Sequence, residues 1–137
     1  MSPTTVLICA DSDVTVVPWH DPLVDDVGLP VRGTYVEVVW ADLLGPTATV
    51  ALRFLAPYSS LPAEQATLDV RELAATLGVS TSVLLRALGR LARFGFIRRR
   101  PHVLEVRAFA APVPSHYVSR LSRTARAFHA AAIATLP

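Results

Sequence analysis

Lysine is absent from this chain, whose thirteen basic residues are all arginine. With abundant Ala, Val, Leu and Pro, that matches the codon bias of a GC-rich genome, and the missing lysine carries no mechanistic weight. Cysteine occurs once, at Cys9, which excludes an internal disulfide and fits a reducing cytoplasm. No basic neighbour lowers the Cys9 thiol pKa, so it reads as a core or interface residue rather than a nucleophile. No apolar run approaches the roughly 18 residues of a membrane span, because Glu37 and Asp42 interrupt residues 36–44, and Arg126 and His129 interrupt the C-terminal run. The opening MSPTTVLICADSD lacks the basic region and apolar length of a secretory signal. A cytoplasmic protein with no membrane partner is expected.

His20, His102, His116 and His129 are scattered, without His-x3-His or Cys-x2-Cys spacing, so no metal site is expected. The six glycines are dispersed and form no phosphate-cradling loop. Asp11 and Asp13 lack the further oxygen ligands of a cation loop. Asp25 and Asp26, near His20, have no nucleophile beside them. These absences point away from an enzyme and from any cofactor.

What remains is a chain of 137 residues, long enough for one domain with a proper core and short for two. It is 52% hydrophobic with a positive mean hydropathy, enough apolar surface to predict a homodimer. The net charge of +2 hides a division. Residues 1–72 hold ten acids and three arginines, a balance of −7, whereas residues 73–137 hold ten arginines against Glu105 alone, a balance of +9. Such asymmetry predicts either a polyanion facing the C-terminal half or attraction between the two halves.

The chain is organised around residues 69–107, DVRELAATLGVSTSVLLRALGRLARFGFIRRRPHVLEVR. Val70, Leu73, Ala74 and Leu77 share one helix face, with Asp69 as N-cap and Gly78 as a left-handed stop. Val79 can plug the turn, and Ser80 can cap a second helix along which Leu84, Ala87, Leu88 and Leu91 form the apolar stripe. Ser82, Arg86, Gly89 and Arg93 fall opposite that stripe, with Arg90 to one side, and Gly95 ends the helix. Residues 96–100 and 103–107 are strand-like runs joined by Pro101-His102, the pattern of a hairpin.

Helix, tight turn, amphipathic helix and basic hairpin in that order resemble the winged helix-turn-helix superfamily. The resemblance rests on the Leu77-Gly78-Val79-Ser80 turn, the Arg86-Ala87-Leu88 and Leu91 spacing, and the Gly95-Phe96-Ile97-Arg98-Arg99 exit into the wing. The block WADLLGPTATVALRFL is also similar to a stretch preceding the helix-turn-helix in uncharacterised actinobacterial proteins, a family without a known activity.

Outside that stretch, residues 4–9 and 14–17 read as two arms of a β-hairpin. Residues 20–32 read as a surface connection with a helical turn at 23–27. Residues 34–43 have helical spacing with Thr34 as cap, although their β-branched content leaves a strand possible for 35–40. Pro46 is suited to the first turn of the next helix, 47–56, in which Val50, Ala51 and Phe54 share a side broadened by Leu52 and Leu55. Residues 66–68 should be a short strand joining the wing sheet, and residues 108–115 an extended connection. Ser115 or Ser122 can cap C-terminal helices, with Leu121, Ala125, Phe128 and Ile133 as their apolar side. Trp19 and Trp40 read as packing anchors.

The expected fold is α+β, mainly α: a winged helix-turn-helix as a single domain, with residues 1–33 as N-terminal hairpin and loop, 34–108 as core and 109–137 as helical extension. In such a fold the second motif helix enters the major groove and the wing lies near the phosphate backbone. Mapped here, Ser80, Thr81, Ser82 and Arg86 lie at the groove-facing end, the last three at base edges. Arg90, Arg93, Arg98, Arg99, Arg100 and His102 are candidate phosphate contacts. Strand alternation sends Arg99 to the opposite face from Arg98 and Arg100. The expected function is duplex DNA binding, in transcriptional regulation or a replication or nucleoid role. Val83 and Leu85, apolar where DNA-binding relatives carry small polar residues, support the alternative of a winged-helix protein-interaction or dimerisation module.

Overall fold

A computed structural model gives the fold, described here for residues 13–62 and 64–136. Strand β1, Val14–Pro18, buries Val14 and Val16 and leaves Thr15 and Val17 half-exposed, the period-two pattern of a strand with one face on a core. Both of its edges are occupied. β3, Thr67–Leu68, pairs antiparallel to it, and β5, Val103–Val106, runs parallel to it with Val16 opposite Leu104. β4, Ile97–Arg100, forms an antiparallel hairpin with β5, giving the sheet order β3-β1-β5-β4.

Residues 14–17 are therefore a central strand. Residues 4–9, expected as the other hairpin arm, lie outside the described residues. Residues 67 and 68 do join the hairpin's sheet, but through β1, which is inserted between them and β5.

The connection at residues 20–32 is more ordered than its Pro, Gly and Asp content suggests. Asp21 caps a helical turn, α1 (Pro22–Asp25), accepting the Leu23 N–H at 3.1 Å. β2, Leu29–Pro30, pairs antiparallel with β6, Phe109–Ala110, so two segments expected as plain connections make a second small sheet. Val36–Trp40 forms a π-helical turn that continues into α2, Ala41–Leu44. A helix was expected here, but Tyr35 rather than Thr34 stands at its N-cap, without a side-chain cap. The wider winding, with the Ala41 N–H reaching the Val36 carbonyl, gathers Tyr35, Val36, Val39 and Trp40 into the core.

Gly45, at φ 80°, separates α2 from α3, Pro46–Tyr58, and Pro46 begins the helix where no N–H is needed. The buried stripe of α3 is Ala48, Ala51, Leu52 and Leu55, an i, i+3, i+4, i+7 set, while Val50 is 54% exposed. The expectation that Val50 faces inward is corrected by that stripe: Val50 sits one position off it. α3 lies against β1 and β5 on one side and against α5 on the other.

α4, Val70–Leu77, is capped by Asp69, which accepts the Glu72 N–H at 2.7 Å, and is ended by Gly78 at φ 73°. α5, Thr81–Arg93, follows with Leu84, Ala87, Leu88 and Leu91 buried. Trp40 ties the end of α5 to the body. Its ring packs edge-on against Phe94 at 5.7 Å and Phe96 at 4.9 Å, and its Nε1–H donates to the Ala111 carbonyl at 2.8 Å.

The chain closes with α6, Ser115–Val118, and α7, Arg123–Thr135. Ser122 caps α7 by accepting the Ala125 N–H at 3.1 Å, and its own N–H donates to Asp42 at 2.7 Å. Ser115 is itself the first residue of α6, behind an N-cap at Pro114. Leu121 and Ala125 are buried, whereas Phe128 and Ile133 remain exposed. The architecture is α+β and mainly helical, with one small mixed sheet and a two-stranded ribbon.

Candidate nucleic-acid interface

The sequence of α5 divides it into an anchored face and a charged one. Four leucine and alanine side chains bury one stripe, and Arg86, Arg90 and Arg93 are exposed on the other side. At its start, Ser80 Oγ accepts the Val83 N–H at 3.2 Å and lies 3.3 Å from Ser82 Oγ. Ser80 is therefore occupied as a cap. Thr81 and Val83 are half-buried, Ser82 is exposed, and Leu85 packs partly against the core. Val83 instead lines the cleft between α5 and residues 44–48.

Gly89 lies on the arginine face as expected, but it is buried there. Lacking a side chain, it forms the floor of a depression of about 270 Å³ walled by Arg86, Arg90 and Arg93. A second cleft, about 180 Å³, lies between α5 and residues 44–48, with Arg86 and Arg90 again on its wall. Arg90 is held there because its Nη1 donates to the Leu44 carbonyl at 3.1 Å. A side chain at position 45 would put a Cβ only 3.2 Å from that nitrogen. No ion pair involves Arg86, Arg90 or Arg93 among the described residues. Arg93 rests over the Phe94 ring at 5.7 Å.

The arginines of the β4–β5 hairpin are disposed differently. Arg98 lies opposite Glu105 in the ladder; its Nε bonds Glu105 Oε2, and Arg100 Nε approaches the same oxygen at 3.5 Å. That hydrogen bond from Arg98, followed by the charges of Arg98 and Arg100, holds the Glu105 carboxyl below the usual carboxylate range. Arg99 projects from the other face, alongside Ile97 and opposite Leu104, and its Nη1 is buried without a hydrogen-bond partner. His102 is exposed at the hairpin tip with φ 61°. Pro101 followed by a positive φ is the pattern of a type II turn.

Arg98 also stacks over Trp19 at 4.2 Å, and Arg107 lies over the same indole at 3.7 Å. Arg107 donates from Nε to the Gly95 carbonyl at 2.7 Å and from Nη1 to Asp21 at 3.3 Å. Trp19, Glu105 and Arg107 were not singled out as site residues. The partner of Arg98 had a signal: a two-residue turn at 101 and 102 pairs 100 with 103 and 98 with 105. The position of Trp19 had none, because it depends on β1 running beside β5.

At the C-terminus, Arg120 lies over Tyr117 at 5.4 Å, and Arg123 and Arg126 are exposed on α7. Among the described residues, no group of three or more His, Cys, Asp or Glu side chains is placed to hold a metal ion. No helix among them is long and apolar enough to cross a membrane. No protein-family model, curated protein or solved structure matches the chain.

Proposed function

We propose that this chain is a winged helix-turn-helix protein that binds duplex DNA. In this reading α3, α4 and α5 are the three helices, β4 and β5 are the wing, and α5 enters the major groove. The observation that carries it is the exposed face of α5, where Arg86, Arg90 and Arg93 stand together without an ion-pair partner among the described residues. Guanidinium groups stay charged at every physiological pH and can fork onto phosphate oxygens. A transcriptional, replicative or nucleoid role follows from duplex binding. A homodimer joined through α7, where Phe128 and Ile133 stay exposed, belongs to the same proposal, and a monomer in sedimentation equilibrium at binding concentrations removes that part.

The test is fluorescence anisotropy with a labelled mixed-sequence duplex across a salt series. Counterion release makes log affinity fall linearly with log salt, with a slope of about −0.9 per phosphate neutralised. Replacing both Arg86 and Arg90 by Ala is expected to flatten that slope by nearly two units and to weaken binding. Unchanged affinity in the double variant refutes the reading.

A further inference from the structure

We infer that α5 grips duplex DNA through its phosphates, with almost no preference for base sequence. This rests on the duplex-DNA reading and adds what kind of contact the helix makes. A helix that reads bases does so with side chains near its N-terminal end, and in α5 those are short, as at Ser80 and Ser82, or half-buried, as at Thr81 and Val83. Ser80 caps the helix, Ser82 shares a hydroxyl contact with it, and Thr81 and Val83 are half-buried. Of the exposed side chains of α5, only Arg86, Arg90 and Arg93 are long.

The arginines are also arranged as a track. Arg86, Arg90 and Arg93 follow one another at steps of four and three residues, a rise of about 10 Å along the helix. They surround two adjoining depressions rather than converging on one point. Arg90 is fixed by its bond to the Leu44 carbonyl, so its charge stands at the mouth of the cleft beside α3 instead of reaching ahead of α5. The hairpin adds little to this grip at Arg98, whose guanidinium is engaged by Glu105 and Trp19. Positive charge spread along a ridge, with no side-chain amide or carboxylate lining either depression among the described residues, is complementary to a phosphodiester backbone. It offers nothing that separates one base pair from another except arginine's bidentate bond to guanine.

The lysine replacements Arg86→Lys and Arg93→Lys test that last point, since lysine keeps the charge for a phosphate but loses the fork that selects guanine. Binding to three unrelated duplexes, one A·T-only, one G·C-rich and one mixed, is measured at several salt concentrations, with inorganic phosphate and heparin as competitors. The expected result is affinities within about tenfold of one another, far below the 10³-fold or greater preference of specific binders. Each lysine variant is expected within about threefold of the parent on all three duplexes. Each alanine variant is expected to reduce the slope by about 0.9 on all three alike. Heparin should displace the duplex and millimolar inorganic phosphate should not, because a single phosphate engages only one step of the track. A thousandfold preference for one duplex, or lysine variants that lose only the G·C-rich one, overturns the inference while leaving duplex binding intact. Absence of binding to every duplex at low salt overturns both. Displacement by inorganic phosphate alone identifies the clefts as a small-anion site and also overturns the inference.

Discussion

Removing the hydroxyl of Tyr35 should have an effect well beyond the loss of one oxygen. Tyr35 is 7% exposed, and its Oη accepts the Val113 N–H at 2.8 Å while lying 2.8 Å from His129 Nδ1. With one lone pair facing Val113, the phenol proton is available to the ring nitrogen, so a single oxygen links the π-helical turn, the segment leading to α6, and α7. In Tyr35→Phe the buried Val113 N–H is left without a partner, which costs about 1–3 kcal/mol, and the bond to His129 contributes about 1 kcal/mol more. The phenylalanine ring fills the same space, so no cavity offsets or adds to this. A total of about 2–4 kcal/mol is expected, and at about 4 °C per kcal/mol for a domain of this length the Tm should fall by roughly 8–16 °C. His129→Ala, which leaves Val113 satisfied, should cost about half as much. Urea denaturation followed by tryptophan fluorescence measures both, and a loss below about 0.5 kcal/mol in Tyr35→Phe refutes the assignment of this oxygen as a buried junction.

Burial pushes the Tyr35 phenol above its ordinary value, with the Val113 N–H drawing it partly back. Its share of stability is therefore whole below about pH 10 and is lost as pH climbs through the raised folded value; the difference between absorbance titrations of the parent and Tyr35→Phe should show the Tyr35 phenolate appearing at higher pH than a free phenol. Glu105 has the opposite sign: its folded pKa is lowered, so its contribution is present above about pH 4.3 and disappears as pH falls through the folded value. Glu105→Gln should remove that acid dependence, measured as midpoint urea concentration against pH. In the proposed DNA complex it should also tighten binding several-fold with a steeper salt slope, because Arg98 and Arg100 are released; unchanged binding removes them from the interface. Gly45→Ala, at φ 80° and with its Cβ 3.2 Å from Arg90, should cost about 1–3 kcal/mol, and a melting curve identical to the parent contradicts the strained junction.

The helical part of the fold was legible in the sequence where its signals are local. Asp69, Gly78, Ser80 and Gly95 each act within a turn of their own position, and each stands where its residue type directs it. Strand alternation likewise separated Arg99 from Arg98 and Arg100. What escaped depended on distant partners. Val14 and Val16 are equally suited to a hairpin arm and to a central strand, and only pairing with residues 67–68 and 103–106 decides between them. In the candidate interface, the three arginines of α5 were visible from helical periodicity. Gly89 does lie on the arginine face, but its burial was not visible, because a wheel assigns direction, not the cover supplied by neighbouring long side chains. The stacking of Arg98 on Trp19 was hidden for the same reason as β1 itself.

The parallel pairing of β1 with β5 bears on how the chain is made. The two strands are separated by about ninety residues, so on the ribosome β1 emerges early and has to wait for β5. The helices between them can form from neighbouring contacts meanwhile, but the sheet cannot close until residues 103–106 have left the exit tunnel. During that interval an apolar, β-branched strand keeps its β5-facing edge open, even after residues 67–68 are made and can cover the other, and an open edge is prone to pairing with another nascent chain. Yield in the cell should therefore depend on how quickly synthesis runs from α3 to the hairpin.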